Sequence, residues 1–217
     1  MHIAIKATAA ILTTLAVGVG GTAAWYIHTK QPNRSGTIHL QQLKSPVKVA
    51  YDERGVPHIQ ADNESDLYRA LGYVHAQDRL FQMEMVRRLA KGELAEILGP
   101  KLLETDKLFR TLGIRARADE MIAKADMTTP ASQALLAYLD GINQYQAGHK
   151  APMEFDLLGI PKRPFTPQDS AAVAGYMAYS FASAFKTEPP LTFIRDKLGS
   201  AYLRVFDLDW HPEGVVG

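Results

Sequence analysis

The stretch HAQDRLFQMEMVRR, residues 75–88, has the spacing of an amphipathic helix but carries an acid where that spacing requires an apolar side chain. Apolar residues recur here and just upstream at steps of three and four, apart from one step of seven, at Leu67, Leu71, Val74, Phe81, Met85 and Leu89. Asp78 fills the step of seven. The pattern predicts a long helix that organises the fold, and it leaves Asp78 to be explained.

Two interpretations of Asp78 stay open. His75 lies one turn earlier on the same face, so the two side chains could bind a metal ion, but such a site needs further ligands. A buried carboxylate is costly unless it is paired and hydrogen-bonded, so a structural ion pair is the favoured interpretation. Four arginines are candidate partners: Arg79, Arg87, Arg88 and Arg110.

The predicted helix has signals at both ends. Asn63 is a good N-terminal cap, and Asp66 stands three residues on, in the capping-box position. Lys91 is the expected last residue, because Gly92 follows it and basic residues suit the negative end of a helix.

Further helices are predicted downstream. Thr129-Pro130 and Thr166-Pro167 each pair a cap with a proline at the first helical position. A short helix is predicted in residues 92–99, and another in residues 102–125, with a break at Gly113. Two proline-rich places should interrupt helix: residues 149–165, predicted to be an ordered loop, and Pro189-Pro190.

The segment before the long helix is predicted to be extended. Residues 31–45 are interpreted as a polar tether that enters a first strand, and residues 47–59 have the alternation and polar turn of a hairpin. Pro57 removes a backbone donor and favours an edge position for the second strand. A lone hairpin is marginally stable, so this chain is expected to be a portion of something larger.

The first thirty residues are interpreted as a signal peptide or membrane anchor. Residues 7–27 form an apolar run about long enough to span a bilayer, and Trp25 and Tyr26 stand where an interfacial anchor would lie. Small residues in GGTAA keep a cleaved signal peptide open as the alternative. Either way, the rest of the chain is expected on the far side of the membrane, in the periplasm or an equivalent compartment.

Composition and motifs exclude several classes of function. A formal net charge of +1 gives no reason to expect a nucleic-acid partner. The chain has no cysteine, which excludes disulfides, thiolate metal sites and a cysteine nucleophile within it. It also lacks a Gly-x-Ser-x-Gly elbow, a His-Glu-x-x-His motif and a glycine-rich phosphate loop.

An aromatic and thioether stripe near the C-terminus is the other notable feature. It comprises Met177, Phe181 and Phe185 at helical spacing, with Tyr176 and Tyr179 nearby. A core face is the favoured interpretation. The wall of an apolar ligand pocket is the alternative, because methionine and aromatic side chains adapt to varied ligands.

Three sequence blocks resemble the penicillin acylase family of N-terminal-nucleophile hydrolases. They are DERGVPHI at residues 52–59, GYVHAQDRLFQME at residues 72–84 and GELAEILG at residues 92–99. LDGINQY, LLGIPKRPFTPQDS and GYMAYSF follow in the family's order, so that the similarity runs from about residue 36 to residue 200.

The resemblance implies a fold and a partner. The fold class is α+β, mostly helical with an N-terminal β-hairpin, and it forms the α-chain part of an αββα sandwich. A β chain cut autocatalytically from the same precursor would complete the sandwich and make a heterodimer. In the family the first residue of that β chain is the serine nucleophile and its α-amine is the base, near enough to neutral in pKa to accept the serine proton. An α chain should therefore contain no catalytic residue and be inactive alone.

The resemblance also implies residues and substrates. Met177, Ser180 and Phe181 match positions that line the acyl pocket. Asp78 and Arg79 keep the structural role that the ion-pair interpretation gives them. An arginine stands at the position of Ser180 in penicillin G enzymes, so penicillin-like amides and acyl homoserine lactones both remain open, with antibiotic metabolism or quorum quenching as the context. Glu188 matches a calcium-binding glutamate, which makes structural calcium an expectation.

Residues 46–217 form the predicted α-chain-like domain. Gly217 suits either a processed chain or a truncated reading frame. The alternatives to an acylase subunit are a non-catalytic remnant and a membrane-anchored helical binding module.

Overall fold

The computed structural model describes residues 17–182 and 184–206, and the chain divides into two compact units after Val173. The elements, in chain order, are α1 (residues 17–28), β1 (Lys48–Tyr51), β2 (Pro57–Gln60), α2 (Glu64–Lys91), α3 (Ala95–Leu98), a 3-10 turn (Pro100–Leu102), α4 (Leu103–Thr111), α5 (Ile114–Ala123), α6 (Pro130–Gly148), α7 (Met153–Leu158), α8 (Pro167–Phe181), α9 (Ala184–Leu198) and a 3-10 stretch (Ser200–Phe206). The predicted composition, mostly helical with a hairpin in front, is confirmed.

Helix α2 begins and ends as predicted. The Asn63 side chain accepts a hydrogen bond from the Asp66 amide at 3.0 Å. Gly92 has φ 66° and ψ 51°, a left-handed conformation that glycine adopts without strain, and its amide donates to the carbonyls of Arg88 and Leu89. The helix is kinked at Arg79, where φ is −136° and ψ is 15°, which the sequence pattern did not predict.

Helices α2 and α6 pack through two reciprocal glycines. A Cβ on Gly72 would overlap the carbonyl of Tyr138 in α6, and a Cβ on Gly141 would overlap the carbonyl of Arg69 in α2. The missing side chains let the two backbones approach closely. The buried cluster around this crossing includes Tyr73, Ala76, Leu80, Leu139, Ile142 and Phe155.

The predicted apolar stripe of α2 is not the face that packs against α6. Only Val74 of that stripe is buried, and Leu71 is exposed. The buried face runs through Arg69, Tyr73, Ala76, Leu80, Glu84 and Arg87. The prediction was wrong because charged residues occupy core positions at both ends of the true face, where ion pairs make burial tolerable.

The hairpin is antiparallel and, within the described residues, two-stranded. Lys48 pairs with Gln60 and Tyr51 pairs with Pro57. The carboxylate of Asp52 shapes the turn by accepting hydrogen bonds from the amides of Arg54, at 2.9 Å, and Val56, at 2.8 Å. Residues 31–45 contain turns and bends, and the strand that they lead into begins at Lys48.

Two expectations about prolines were wrong. The loop predicted in residues 149–165 contains α7, where Pro152 caps the helix and Phe155 is buried in the core. Pro189 and Pro190 lie inside α9 rather than interrupting it. Proline fixes φ near the helical value, so the chain stays helical there while losing two backbone donors.

The end of α1 contacts α7. The Tyr26 hydroxyl donates to Asp156 Oδ2 at 2.5 Å, and Lys30 Nζ donates to the same oxygen at 2.6 Å and to the Ala151 carbonyl at 2.8 Å. Of the predicted anchor at residues 7–27, the part before residue 17 lies outside the described residues. Across the described residues, no helix has both the length and the apolarity to cross a bilayer.

Candidate functional site

The three predicted pocket residues share one helical face. Met177, Ser180 and Phe181 lie in the last turns of α8 at spacings of three and four. Met177 is 43% exposed and Phe181 is 78% exposed, so the core interpretation of this stripe is wrong for both. The Ser180 hydroxyl donates to the Met177 carbonyl at 2.8 Å. The side chain of Phe185 lies outside the described residues.

The unit that begins at Ala174 exposes large apolar side chains. No side chain is buried within residues 174–182 and 186–205. The exposed apolar residues there are Met177, Phe181, Phe193, Leu198, Tyr202 and Val205. A run of this kind is typical of a surface that another polypeptide covers.

Glu188, the predicted calcium ligand, is exposed in α9. Over residues 17–182 and 184–206, no three His, Asp or Glu side chains are grouped so that they could hold a metal ion.

Asp78 has a partner that sequence reasoning did not consider. Its Oδ1 accepts from Arg34 Nη2 at 3.1 Å, and the Arg34 guanidinium also lies over the Tyr51 ring, 5.2 Å from its centroid. None of the four arginines predicted as partners makes this contact. Arg34 was missed because it precedes the hairpin and is distant in sequence, so helical spacing cannot reveal it.

Arg79 and His75, the neighbours of Asp78 on the helix, contact other side chains. Arg79 is exposed and donates to Gln82 Oε1 at 3.3 Å. His75 Nδ1 lies 2.5 Å from the Tyr138 hydroxyl. Partial desolvation and the charge of Arg79 lower the pKa of His75, although Asp78 opposes the shift, so the neutral ring is the favoured form at pH 7.

A buried ionic cluster in α2 is the main feature that the sequence analysis missed. Glu84 is fully buried and accepts hydrogen bonds from Arg87, from Arg88 Nε at 2.7 Å and from Arg163 Nη2 at 3.5 Å. A signal was present in the sequence EMVRR, which places the two helix arginines three and four residues after Glu84, as in helical ion pairs.

Asp169 extends the cluster to the start of α8. It accepts from Lys91 Nζ at 2.9 Å, from Arg87 Nη1 at 3.3 Å and from the Thr166 amide at 3.0 Å. Burial opposes the charge, but these partners hold the pKa of Asp169 below its usual value. The Arg87 guanidinium stacks on the Phe165 ring, 3.9 Å from its centroid. The cluster joins α2 to α8 and has the character of a structural brace.

An apolar groove of about 350 Å³ opens where α2, α6 and the start of α8 meet. We call it the α2–α6 groove. Its deepest lining residues are buried members of the core, its sides are half-buried, and its rim is polar and exposed. The buried lining residues are Leu139, Ile142 and Phe165. The half-buried sides are formed by Met83, Val86 and Val173, and the exposed rim is formed by His75, Arg79 and Gln82.

The comparisons with known proteins all indicate the same family. The sequence model of the penicillin amidase family matches residues 46–212. Penicillin acylase 2 proenzyme of Pseudomonas sp. (strain SE83) is 44% identical over 146 residues, which is 65% of this chain and 18% of that protein. Acyl-homoserine lactone acylase QuiP of Pseudomonas aeruginosa is 33% identical over 191 residues, covering 85% of this chain and 22% of that protein.

A solved structure is also similar. A thermostable penicillin G acylase chain from Alcaligenes faecalis matches with a TM-score of 0.56 and 28% identity, over 79% of this chain and 95% of that chain. This chain thus spans about a fifth of the curated relatives, 18% and 22% of the two named above, but nearly all of the solved chain.

Proposed function

Because the chain belongs to the penicillin amidase family, we propose that it is the α portion of an exported acylase that hydrolyses N-acyl amides. The partner would be a β chain from the same precursor, which carries the serine nucleophile. The compartment would be the periplasm or its equivalent. The products would be a carboxylic acid and an amine. For an acyl homoserine lactone substrate, the amine product would be homoserine lactone.

One observation supports the missing partner most directly. The unit after Val173 has no buried side chain within residues 174–182 and 186–205, although Phe181, Phe193 and Val205 are large and apolar. A second chain that covered this surface would remove it from water.

The reaction proposed for the complete enzyme proceeds in two steps. The serine hydroxyl attacks the amide carbonyl while the α-amine of the same serine takes its proton, and that proton then passes to the amide nitrogen, which leaves as the neutral amine. Water then cleaves the acyl ester and releases the acid. The α chain would contribute the Met177, Ser180 and Phe181 face to the acyl pocket, where serine at position 180 is compatible with both penicillin-like amides and acyl homoserine lactones.

Calcium remains part of the proposal only through Glu188. This glutamate is exposed in α9, so its carboxylate is free to bind a calcium ion together with ligands from the β chain. No step of the reaction is assigned to a metal.

The test is to express the complete precursor, using the downstream reading frame, and to assay phenylacetyl, medium-chain and long-chain acyl amides. We expect hydrolysis by the processed heterodimer and none by the 217-residue chain alone. Absence of a serine-initiated β region, or an inactive processed heterodimer, would contradict the proposal.

The binding-module alternative predicts a different behaviour. A self-sufficient module would give a monomeric, cooperative thermal transition with low dye binding. The exposed apolar residues after Val173 instead predict strong binding of a hydrophobic dye and a tendency to associate, both of which the β chain should abolish.

A further inference from the structure

The α2–α6 groove has the size and lining of a small-molecule site. Its volume of about 350 Å³ lies at the lower end of the range for ligand pockets, roughly 300–1,000 Å³. Ile142 and Phe165 at its base belong to the hydrophobic core. Met83 at its side has a flexible thioether that adapts to ligand shape. The interior therefore suits an alkyl or aryl group.

The exposed rim of the groove offers hydrogen-bond donors. With Gln82 Oε1 accepting from Arg79 at 3.3 Å, the Gln82 amide nitrogen keeps its two N–H groups for a ligand. Arg79 adds a permanent positive charge. The neutral His75 ring, in the tautomer that accepts the Tyr138 hydroxyl at Nδ1, carries its proton at Nε2 and donates there.

The acid that lines the groove does not cancel this charge. Both carboxylate oxygens of Asp169 are engaged, Oδ1 by Lys91 at 2.9 Å and Oδ2 by Arg87 at 3.3 Å and the Thr166 amide at 3.0 Å. Its charge is therefore compensated inside the buried cluster. The rim presents a net positive, donor-rich face above an apolar interior.

We propose that the α2–α6 groove binds a carboxylic acid with an apolar tail. The tail occupies the space between Met83, Val86 and Val173, and the carboxylate is held at the rim by Arg79, Gln82 and His75. A charge-assisted pair with arginine is the strongest contact that this rim can make. An acylase releases a carboxylic acid, so the ligand class is also the product class of the proposed reaction, but binding to this groove does not require that activity.

The experiment titrates the full 217-residue chain with octanoate by calorimetry, with 1-octanol and octylamine as probes that keep the tail and change the head group. We expect octanoate to bind, octanol to bind about tenfold more weakly and octylamine not to bind measurably. Arg79→Gln should weaken octanoate binding about tenfold. Arg117→Gln, which removes a similarly exposed arginine, is the matched control and should change nothing.

Two further measurements separate a groove site from weak association elsewhere. Val173→Phe should fill the groove and abolish octanoate binding while far-ultraviolet circular dichroism stays unchanged. Bound carboxylate should raise the pKa of His75, as followed by NMR of its ring protons, because a nearby negative charge favours the charged imidazole.

Three results would overturn the proposal. They are equal affinity for octanoate and octanol, equal effects of the Arg79 and Arg117 substitutions, and octanoate binding that survives Val173→Phe. Since the titration uses this chain alone, its failure would leave the acylase proposal standing, and an inactive heterodimer would leave this site standing.

Discussion

The two units of the chain treat polar and apolar side chains in opposite ways. Before Val173, carboxylates and guanidinium groups lie in the interior, and Asp66 and Glu84 are fully buried with several partners each. After Val173, phenylalanine and valine side chains face water. In the first unit, each buried charged group has partners within the unit. In the second unit, the exposed apolar side chains would be removed from water only if another polypeptide covered them. Substitutions in the first should act on folding, and substitutions in the second on association.

The largest effect is expected from the centre of the buried cluster. Glu84→Gln removes the one fully buried negative charge that Arg87, Arg88 and Arg163 share, so that Asp169, Glu96 and Glu93 alone must compensate these cations. Breaking a buried ion pair from one side costs about 3–5 kcal/mol. Urea unfolding followed by circular dichroism measures the loss.

The matched control for Glu84 is Glu104→Gln, which breaks an exposed pair with Lys107 and should cost at most about 0.5 kcal/mol. Equal effects of the two substitutions would show that the cluster around Glu84 is not a brace.

The next largest loss of stability is expected where α2 and α6 approach each other at Gly72. Gly72→Ala places a methyl group against the Tyr138 carbonyl, so α2 and α6 must move apart and the core between them loosens. Overpacking of this kind costs about 1–3 kcal/mol. Gly148→Ala, in the same helix pair but with open space around the new methyl group, should instead stabilise by up to about 1 kcal/mol. Thermal unfolding of both variants tests the close approach.

Acid should weaken the first unit through its buried carboxylates. Burial opposes the charge of Asp66, but hydrogen bonds from the Asn63 side chain and the Lys44 and Ser45 amides lower its pKa. A lowered pKa means that the unfolded chain binds more protons, so stability is fully present above about pH 4 and falls as pH drops through the folded value. The pKa of Asp169 is also lowered and acts in the same direction.

The free energy of unfolding, measured from pH 6 down to pH 2, should show this loss below about pH 4. Asp66→Asn should be less stable at neutral pH and show a shallower decline in acid. A wild-type free energy of unfolding that is constant over this range would contradict the linkage.

The features of the fold that could be predicted from the sequence are those set by residues close together in the chain. Asn63, Gly92, Thr129 and Thr166 predicted helix ends correctly, because a cap is a contact between residues three or four apart. The face of α2 was misassigned and the partner of Asp78 was missed. Those features depend on α6 and on Arg34, and their positions follow from tertiary packing.

The predicted site shows the same limit. Helical spacing placed Met177, Ser180 and Phe181 on one face, but it could not tell a core face from an exposed one. The α2–α6 groove was likewise beyond reach, since it combines residues of three helices far apart in sequence. His75, Arg79 and Gln82 were noticed as neighbours of Asp78, yet their common groove becomes visible only when α6 and α8 are in place.

The smallest effect on folding is expected in the second unit. This prediction tests directly whether the two units differ in how they bury apolar side chains. Phe193→Ser removes a side chain that is 61% exposed, so it should change the free energy of unfolding of the chain by no more than about 0.5 kcal/mol. It should lower hydrophobic-dye fluorescence and, in the complete precursor, weaken retention of the β chain. Phe155→Ser, at a 2% exposed core position, is the control and should destabilise by about 3–5 kcal/mol without a specific effect on retention. If Phe193→Ser destabilised the isolated chain as strongly as Phe155→Ser, the second unit would possess a core of its own, and its exposed apolar surface would no longer argue for a covering chain.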